Sequence, residues 1–241
     1  MIKKLLLFLM MATASVVVYA QAYCGEHQFD GDHKNEVSGY IVAGDNVVSG
    51  AFGGFAGSYT RHLTPRWHVG GDMQMQFWKQ LYSFDVTGGY RLPVKYGHLY
   101  FDGKFMLNRY SRWGATETIF NLAATWESAY VDIRLGESLI HIHTHGRFSN
   151  GSGYTEPLTL TFGFGANIRH RSNPWNVGLF FRNYDEFYYE NWNINWGIRW
   201  YAKVKDQWRL FGEFNIRPAG SISQLASKYE GSVKVGLKYK W

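Results

Sequence analysis

A chain of 241 residues suits one large domain or two small ones, and its 46% hydrophobic content excludes a disordered basic tail. A mean hydropathy of −0.29 excludes a helical membrane bundle, and a single cysteine excludes a disulfide framework or a Cys-rich zinc module. With 25 basic against 19 acidic residues the formal charge is +6, a balance that alone would suit nucleic acid.

The first element is not part of a fold. Lys3 and Lys4 precede an apolar run, Leu5 to Met11, and Val18-Tyr19-Ala20 forms a small-residue cleavage site before Gln21. Residues 1–20 therefore read as a secretory signal peptide. Its removal takes away only Lys3 and Lys4 among charged residues and lowers the net charge from +6 to +4. Export removes nucleic acid from the expected partners. Cys24 follows the bulky Tyr23, a poor fit to a lipoprotein anchor, and reads as a lone cysteine. Residues 21–36 are polar and without period, including His27, Asp30, Asp32, His33 and Glu36. They are expected to form a periplasmic segment or a plug.

From Val37 to Trp241 the pattern becomes period two, strand after strand. In residues 192–200 Trp192, Ile194, Trp196, Ile198 and Trp200 share one face, and Asn193, Asn195, Gly197 and Arg199 share the other. Successive strand side chains point to opposite faces, so each such strand has an oily and a wet surface. The same alternation runs through residues 158–169, 208–217 and 232–241. Short turns are predicted at residues 64–66, 93–97, near 128, 172–174 and 204–207. Longer, more polar connections are predicted near 77–81, 109–115, 144–156, 184–191 and 217–228. The reading is all-β: a transmembrane antiparallel up-and-down β-barrel over 37–241. Eleven strands are clear and a weak one near Val37 to Gly44 makes twelve, with ten the rival count.

The aromatics place the oily face against lipid. Trp67, Tyr90, Trp126, Trp175, Trp200, Trp208, Tyr239 and Trp241 lie on that parity near the short turns, and Phe77, Tyr82 and Trp192 near the long ones. Two aromatic girdles around an apolar band are the interfacial signature of membrane barrels. On these residues, and on the alternating last strand Val233 to Trp241, the chain resembles Gram-negative outer-membrane β-barrel proteins as a class. The resemblance implies an outer-membrane location and contact with its lipid. It also implies recognition of the last strand, ending in Trp241, by the barrel assembly machinery.

The opposite parity then lines the interior. Strands two to six contribute Asp72, Asp85, Asp102, Glu127 and Asp132 against Arg91, Lys104 and Arg134. Strands seven to twelve contribute Arg169, Arg182, Arg199, Arg209, Arg217, Lys234, Lys238 and Lys240 against Glu213 alone. A basic wall points to a narrow channel for small polar or anionic solutes, because rings of Arg and Lys select against cations. The runner-up is a non-conducting barrel that anchors or binds partners, and a membrane hydrolase is third. His141, His143 and His145 are weak candidates for a metal site, without a carboxylate at ligand spacing. His170-Arg171-Ser172 holds a His-x-Ser pair where a turn is predicted. Phosphate-loop, serine-elbow and His-Glu-x-x-His motifs are missing from the sequence. The chain is accordingly expected to be no enzyme and to carry no cofactor.

Overall fold

The computed structural model describes residues 34–46, 50–77, 81–111, 114–144, 153–185, 188–189, 194–217 and 230–241. The expected signal peptide, Cys24, Trp192 and His145 lie outside the described residues. The strands are β1 (Asn35–Asn46), β2 (Gly50–His62), β3 (Trp67–Gln76), β4 (Leu81–Val94), β5 (Gly97–Tyr110), β6 (Ala115–Glu127) and β7 (Val131–Thr144). They continue as β8 (Gly153–Asn167), β9 (Trp175–Arg182), β12 (Asn195–Lys203), β13 (Trp208–Arg217) and β14 (Glu230–Lys240). Between β9 and β12, β10 (Tyr184–Asp185) and β11 (Tyr188–Tyr189) form a separate two-stranded ribbon. The other twelve strands close into one barrel, each antiparallel to both neighbours. The twelve-strand reading holds, and the weak strand near Val37 is β1, which begins at Asn35.

Closure is made by the two ends of the chain. β1 pairs β14 from Glu36 opposite Lys240 to Asn46 opposite Glu230. Lys34 and Asn35 donate their amides to the Trp241 carbonyl at 3.0 and 2.9 Å, and Trp241 donates to the Asn35 carbonyl at 3.0 Å. No strand edge among the twelve is left open, as hydrocarbon requires.

Burial runs opposite to that of a soluble protein. In β4 the polar Ser83, Asp85 and Thr87 are buried, whereas Phe84 and Val86 are about half exposed, at 51% and 49%. Ile41, Phe55, Met73, Phe105, Leu135, Leu160, Leu179, Ile198, Phe214 and Val235 face outward in the same way. This exterior is the lipid-facing surface.

Short turns gather at one rim. Thr64 Oγ1 accepts from the amides of Arg66 and Trp67 at 3.2 and 2.9 Å, and Ser128 Oγ accepts from Val131 at 3.0 Å. Gly97 closes the β4–β5 turn at φ 141°, where a Cβ would collide with the Glu127 carbonyl. The girdle follows at that rim, with Trp67 on Tyr90 at 4.9 Å, Trp208 on Tyr239 at 4.6 Å and Tyr239 stacked on Trp241 at 5.6 Å.

One irregularity corrects the sequence reading. In sequence Gly136-Glu137-Ser138 interrupts the alternation and is a candidate bulge, but β7 alternates without interruption and the extra residue is on β8. Ser138 pairs Thr159 while Ile140 pairs Glu156. Pro157, which has no amide to donate, falls inside that gap. A lipid-facing charge tests the orientation: Leu179→Arg, at a residue 61% exposed in the middle of β9, is expected to lose about 2–4 kcal/mol. Urea unfolding in lipid vesicles measures the loss.

Candidate functional site: the charged lumen

Inward parity on twelve strands gathers ionisable groups into one enclosed space, where each must find a partner. On the acidic side Asp72 and Asp85 sit directly opposite one another on β3 and β4. Like charges so placed repel. Lys104 of β5, 2% exposed, answers both, with Nζ 2.6 Å from Asp85 and 3.6 Å from Asp72. Two strands further, Arg134 of β7 donates to Asp102 of β5 at 2.9 Å and to Asn121 Oδ1 of β6 at 2.8 Å. Thr125 donates to the same Asp102 at 3.3 Å, and Asn121 donates to Ser138 Oγ at 2.7 Å.

Toward the short-turn rim a crossbar joins the two sides. Asp132 of β7 accepts from Arg171 Nη2 at 2.5 Å and also from Arg199 of β12. Arg199 must cross β8 and β9 to reach it, and glycines clear its path. A Cβ on Gly165 would stand 2.5 Å from Arg199 Nη2 and from Asp132 Oδ2, and one on Gly178 would stand 3.3 Å from Arg199 Nε. Arg171 comes from the turn after β8, not from a strand. It donates to Glu127 at 2.8 Å and to the Ser128 carbonyl at 2.7 Å, while the Tyr201 hydroxyl donates to the Arg171 carbonyl at 2.8 Å.

On the remaining strands two carboxylates gather four cations. Glu213 of β13 faces Arg182 at 2.7 Å and Lys234 at 3.8 Å. Glu36 of β1 faces Lys238 at 2.7 Å and Lys240 at 3.3 Å. Arg209 lies with its guanidinium carbon 5.8 Å from the Tyr201 ring. Each of these two carboxylates is shared by two cations. Nearer the long-loop rim the lumen changes character. Glu117 accepts from Asn108 at 2.9 Å and Tyr110 at 3.2 Å. Val42, Phe52, Met106, Ile119, Ile140 and Ile142 turn inward there and pack together.

The eight basic candidates from the sequence divide by position. Arg182, Arg199, Arg209, Lys234, Lys238 and Lys240 point inward. Arg169 is in the exposed turn at residues 168–174, its guanidinium 3.5 Å above the Trp175 ring. Arg217 ends β13, and its side chain lies outside the described residues. Of the histidines, His141 and His143 occupy the outward parity of β7. His170 Nδ1 contacts Ser172 Oγ at 2.7 Å and accepts the Ser172 amide at 3.2 Å. Both groups of Ser172 thus close a turn on one ring nitrogen. Sequence reasoning missed Arg171, assigned to a turn, and Glu117, absent from the inward tally. It left Glu36 in the polar N-terminal segment, although extending the alternation of β1 by one residue puts Glu36 with Ser38 and Tyr40.

Asp132 holds two arginines and joins the two sides of the lumen. Asp132→Ala is expected to destabilise the barrel by about 3–5 kcal/mol, because it strands buried cations. The double change Asp132→Leu, Arg199→Met is expected to cost less than the two single losses added, as a double-mutant cycle of urea midpoints would show.

No family model matches the chain, and no curated protein matches it in sequence. Solved structures share its fold. The KdgM porin in complex with disordered oligogalacturonate superposes with a TM-score of 0.55 at 9% identity, over 86% of this chain and 99% of that one. The translocator domain of the autotransporter NalP from Neisseria meningitidis gives 0.53 at 13% identity, over 89% and 90%. Outer membrane phospholipase A from Escherichia coli gives 0.50 at 10% identity, over 89% and 94%. A porin, a translocator and a phospholipase at such identities share architecture alone. The lipid-facing exterior, the closed twelve-strand ladder and these likenesses make this chain an outer-membrane β-barrel.

Proposed function

We propose that the barrel is a narrow channel for small polar or anionic solutes, guided by the basic wall of β9, β12, β13 and β14. The observation that carries this reading is the double occupancy of the two carboxylates on or beside that wall. Arg182 and Lys234 share Glu213, and Lys238 and Lys240 share Glu36. A positive surplus between low-dielectric walls draws anions and repels cations. The facing side carries Asp72, Asp85, Asp102, Glu127 and Asp132, so a passing solute meets opposite charge on opposite sides. A polar or zwitterionic molecule suits that arrangement as well as a small anion. The KdgM porin, solved with an anionic sugar oligomer, shows that this fold tolerates such a ligand in that protein.

A second reading rests on the apolar layer. Met106, Ile119 and Ile140 are at most 2% exposed inside the barrel, and small barrels are filled by their own side chains. On that reading the barrel is non-conducting and acts through its rims or outer face. Purified protein in planar bilayers separates the two. Discrete conductance steps at high salt support the channel, and their absence supports the filled barrel. Selectivity has its own test. Arg209→Glu with Lys240→Glu should shift the zero-current potential in a salt gradient toward cation preference, and an unmoved potential would mean that the basic wall does not line the conducting path.

A further inference from the structure

At the long-loop end of β5, β6 and β7 the outward face turns polar. Arg109 stands opposite Thr116 and Thr116 opposite His143, each one residue from the end of its strand. Their chain neighbours Asn108, Tyr110, Ala115, Glu117 and Ile142 are buried, so these three take the lipid-facing parity. Thr118 and His141 form the next row below. On the far side of the barrel the same rim carries Phe181, Trp196 and Ile216 in register. Arg61, also outward, stands at the short-turn end of β2.

Depth decides what lies against this row. Long connections of bacterial barrels face the cell exterior, so the row sits at the headgroup level of the outer leaflet. Tyr82, the cross-strand partner of Arg109, belongs to the same interface. Below the polar rows the register lines up Val86, Phe105, Phe120 and Leu139, all exposed. From the rim inward the face therefore offers a cation and hydrogen-bond donors first, and apolar side chains second. Cross-strand neighbours are about 5 Å apart, so one phosphate group is within reach of Arg109, Thr116 and His143 together. Arginine binds phosphate bidentately, and a threonine hydroxyl and an imidazole N–H donate to its other oxygens. Glu137 shares the parity but lies four residues below His141, about 13 Å along the strand, deeper than a headgroup.

We propose that this row binds the anionic phosphate headgroup of an outer-leaflet lipid, whose acyl chains lie along the apolar row beneath. Charge and depth select the occupant. The row carries a cation, it faces the membrane and not the lumen, and an anionic amphiphile matches its polar and apolar parts at once. A free anion would use the polar row alone, and a protein partner would leave the row indifferent to lipid. None of these side chains enters the lumen, so the proposal is independent of the channel reading.

The test uses the full barrel in dodecyl maltoside. Native mass spectrometry reads the fraction of protein that carries a lipid, and mobility on an unheated SDS gel verifies that each variant is folded. The probes are diphosphoryl lipid A, phosphatidylethanolamine, whose ammonium offsets its phosphate, and inorganic phosphate. Wild type is expected to bind lipid A more tightly than phosphatidylethanolamine. Inorganic phosphate should displace lipid A no better than sodium chloride of equal ionic strength. Arg109→Gln should weaken lipid A binding about fivefold, and Arg109→Gln with His143→Gln about tenfold. Arg61→Gln, at the opposite rim, should bind as wild type does. The proposal is overturned if the double variant keeps wild-type affinity, or if Arg61→Gln weakens binding as much. It is equally overturned if phosphatidylethanolamine binds as tightly as lipid A, or if phosphate displaces the lipid where chloride does not.

Discussion

Hydrocarbon supplies no hydrogen-bond partner, and this one constraint accounts for the architecture from the ladder to the lumen. It forces the backbone to close, so β1 takes β14 and the amide and carbonyl of Trp241 find Lys34 and Asn35. It sends apolar side chains outward, which leaves the polar half of every strand facing its counterparts across a confined interior. The lumen is thus where the chain concentrates its charge, and pairing within it is a condition of folding. Lys104 between two aspartates and Asp132 between two arginines are local solutions to that condition.

The solutions are not evenly distributed. The crossbar from Arg199 on β12 to Asp132 on β7 spans two intervening strands. It lies toward the short-turn rim, while the cluster of Met106, Ile119 and Ile140 lies toward the other. The interior is layered along its axis as well as divided across it. On the channel reading, a solute entering from the long-loop side passes Glu117 and its partners and then the apolar zone before the paired charges. Its passage depends on how readily that zone admits water, because apolar constrictions gate by dewetting.

Period-two alternation made most of the fold legible before any coordinates. It survives in nearly every strand because lipid on one side and charge on the other hold each position to type. The turns were readable for a similar reason: Thr64, Ser128 and Gly97 have turn chemistry that strands do not need. What alternation cannot convey is pairing across the lumen. Arg199 and Asp132 are 67 positions apart in sequence, and no local pattern joins them. Arg171 escaped notice because its turn residues mask a side chain that reaches back inside. The phase of β7 was obscured by Gly136 and Glu137, whose polarity imitates a bulge that belongs to Pro157 on the neighbouring strand. Inward isoleucines and Met106 were equally hidden, because hydrophobicity alone does not say which side of a barrel wall a residue takes.

The glycine under Arg199 ties distant parts of the chain into one heritable unit. Gly165 has no side chain where the Arg199 guanidinium and the Asp132 carboxylate meet. A methyl group there requires both to give way, and a shortened Arg199 leaves Asp132 with Arg171 as its remaining arginine. Among related barrels, positions 132, 165 and 199 should therefore drift together or not at all. The order of substitutions along that path is constrained as much as the end state.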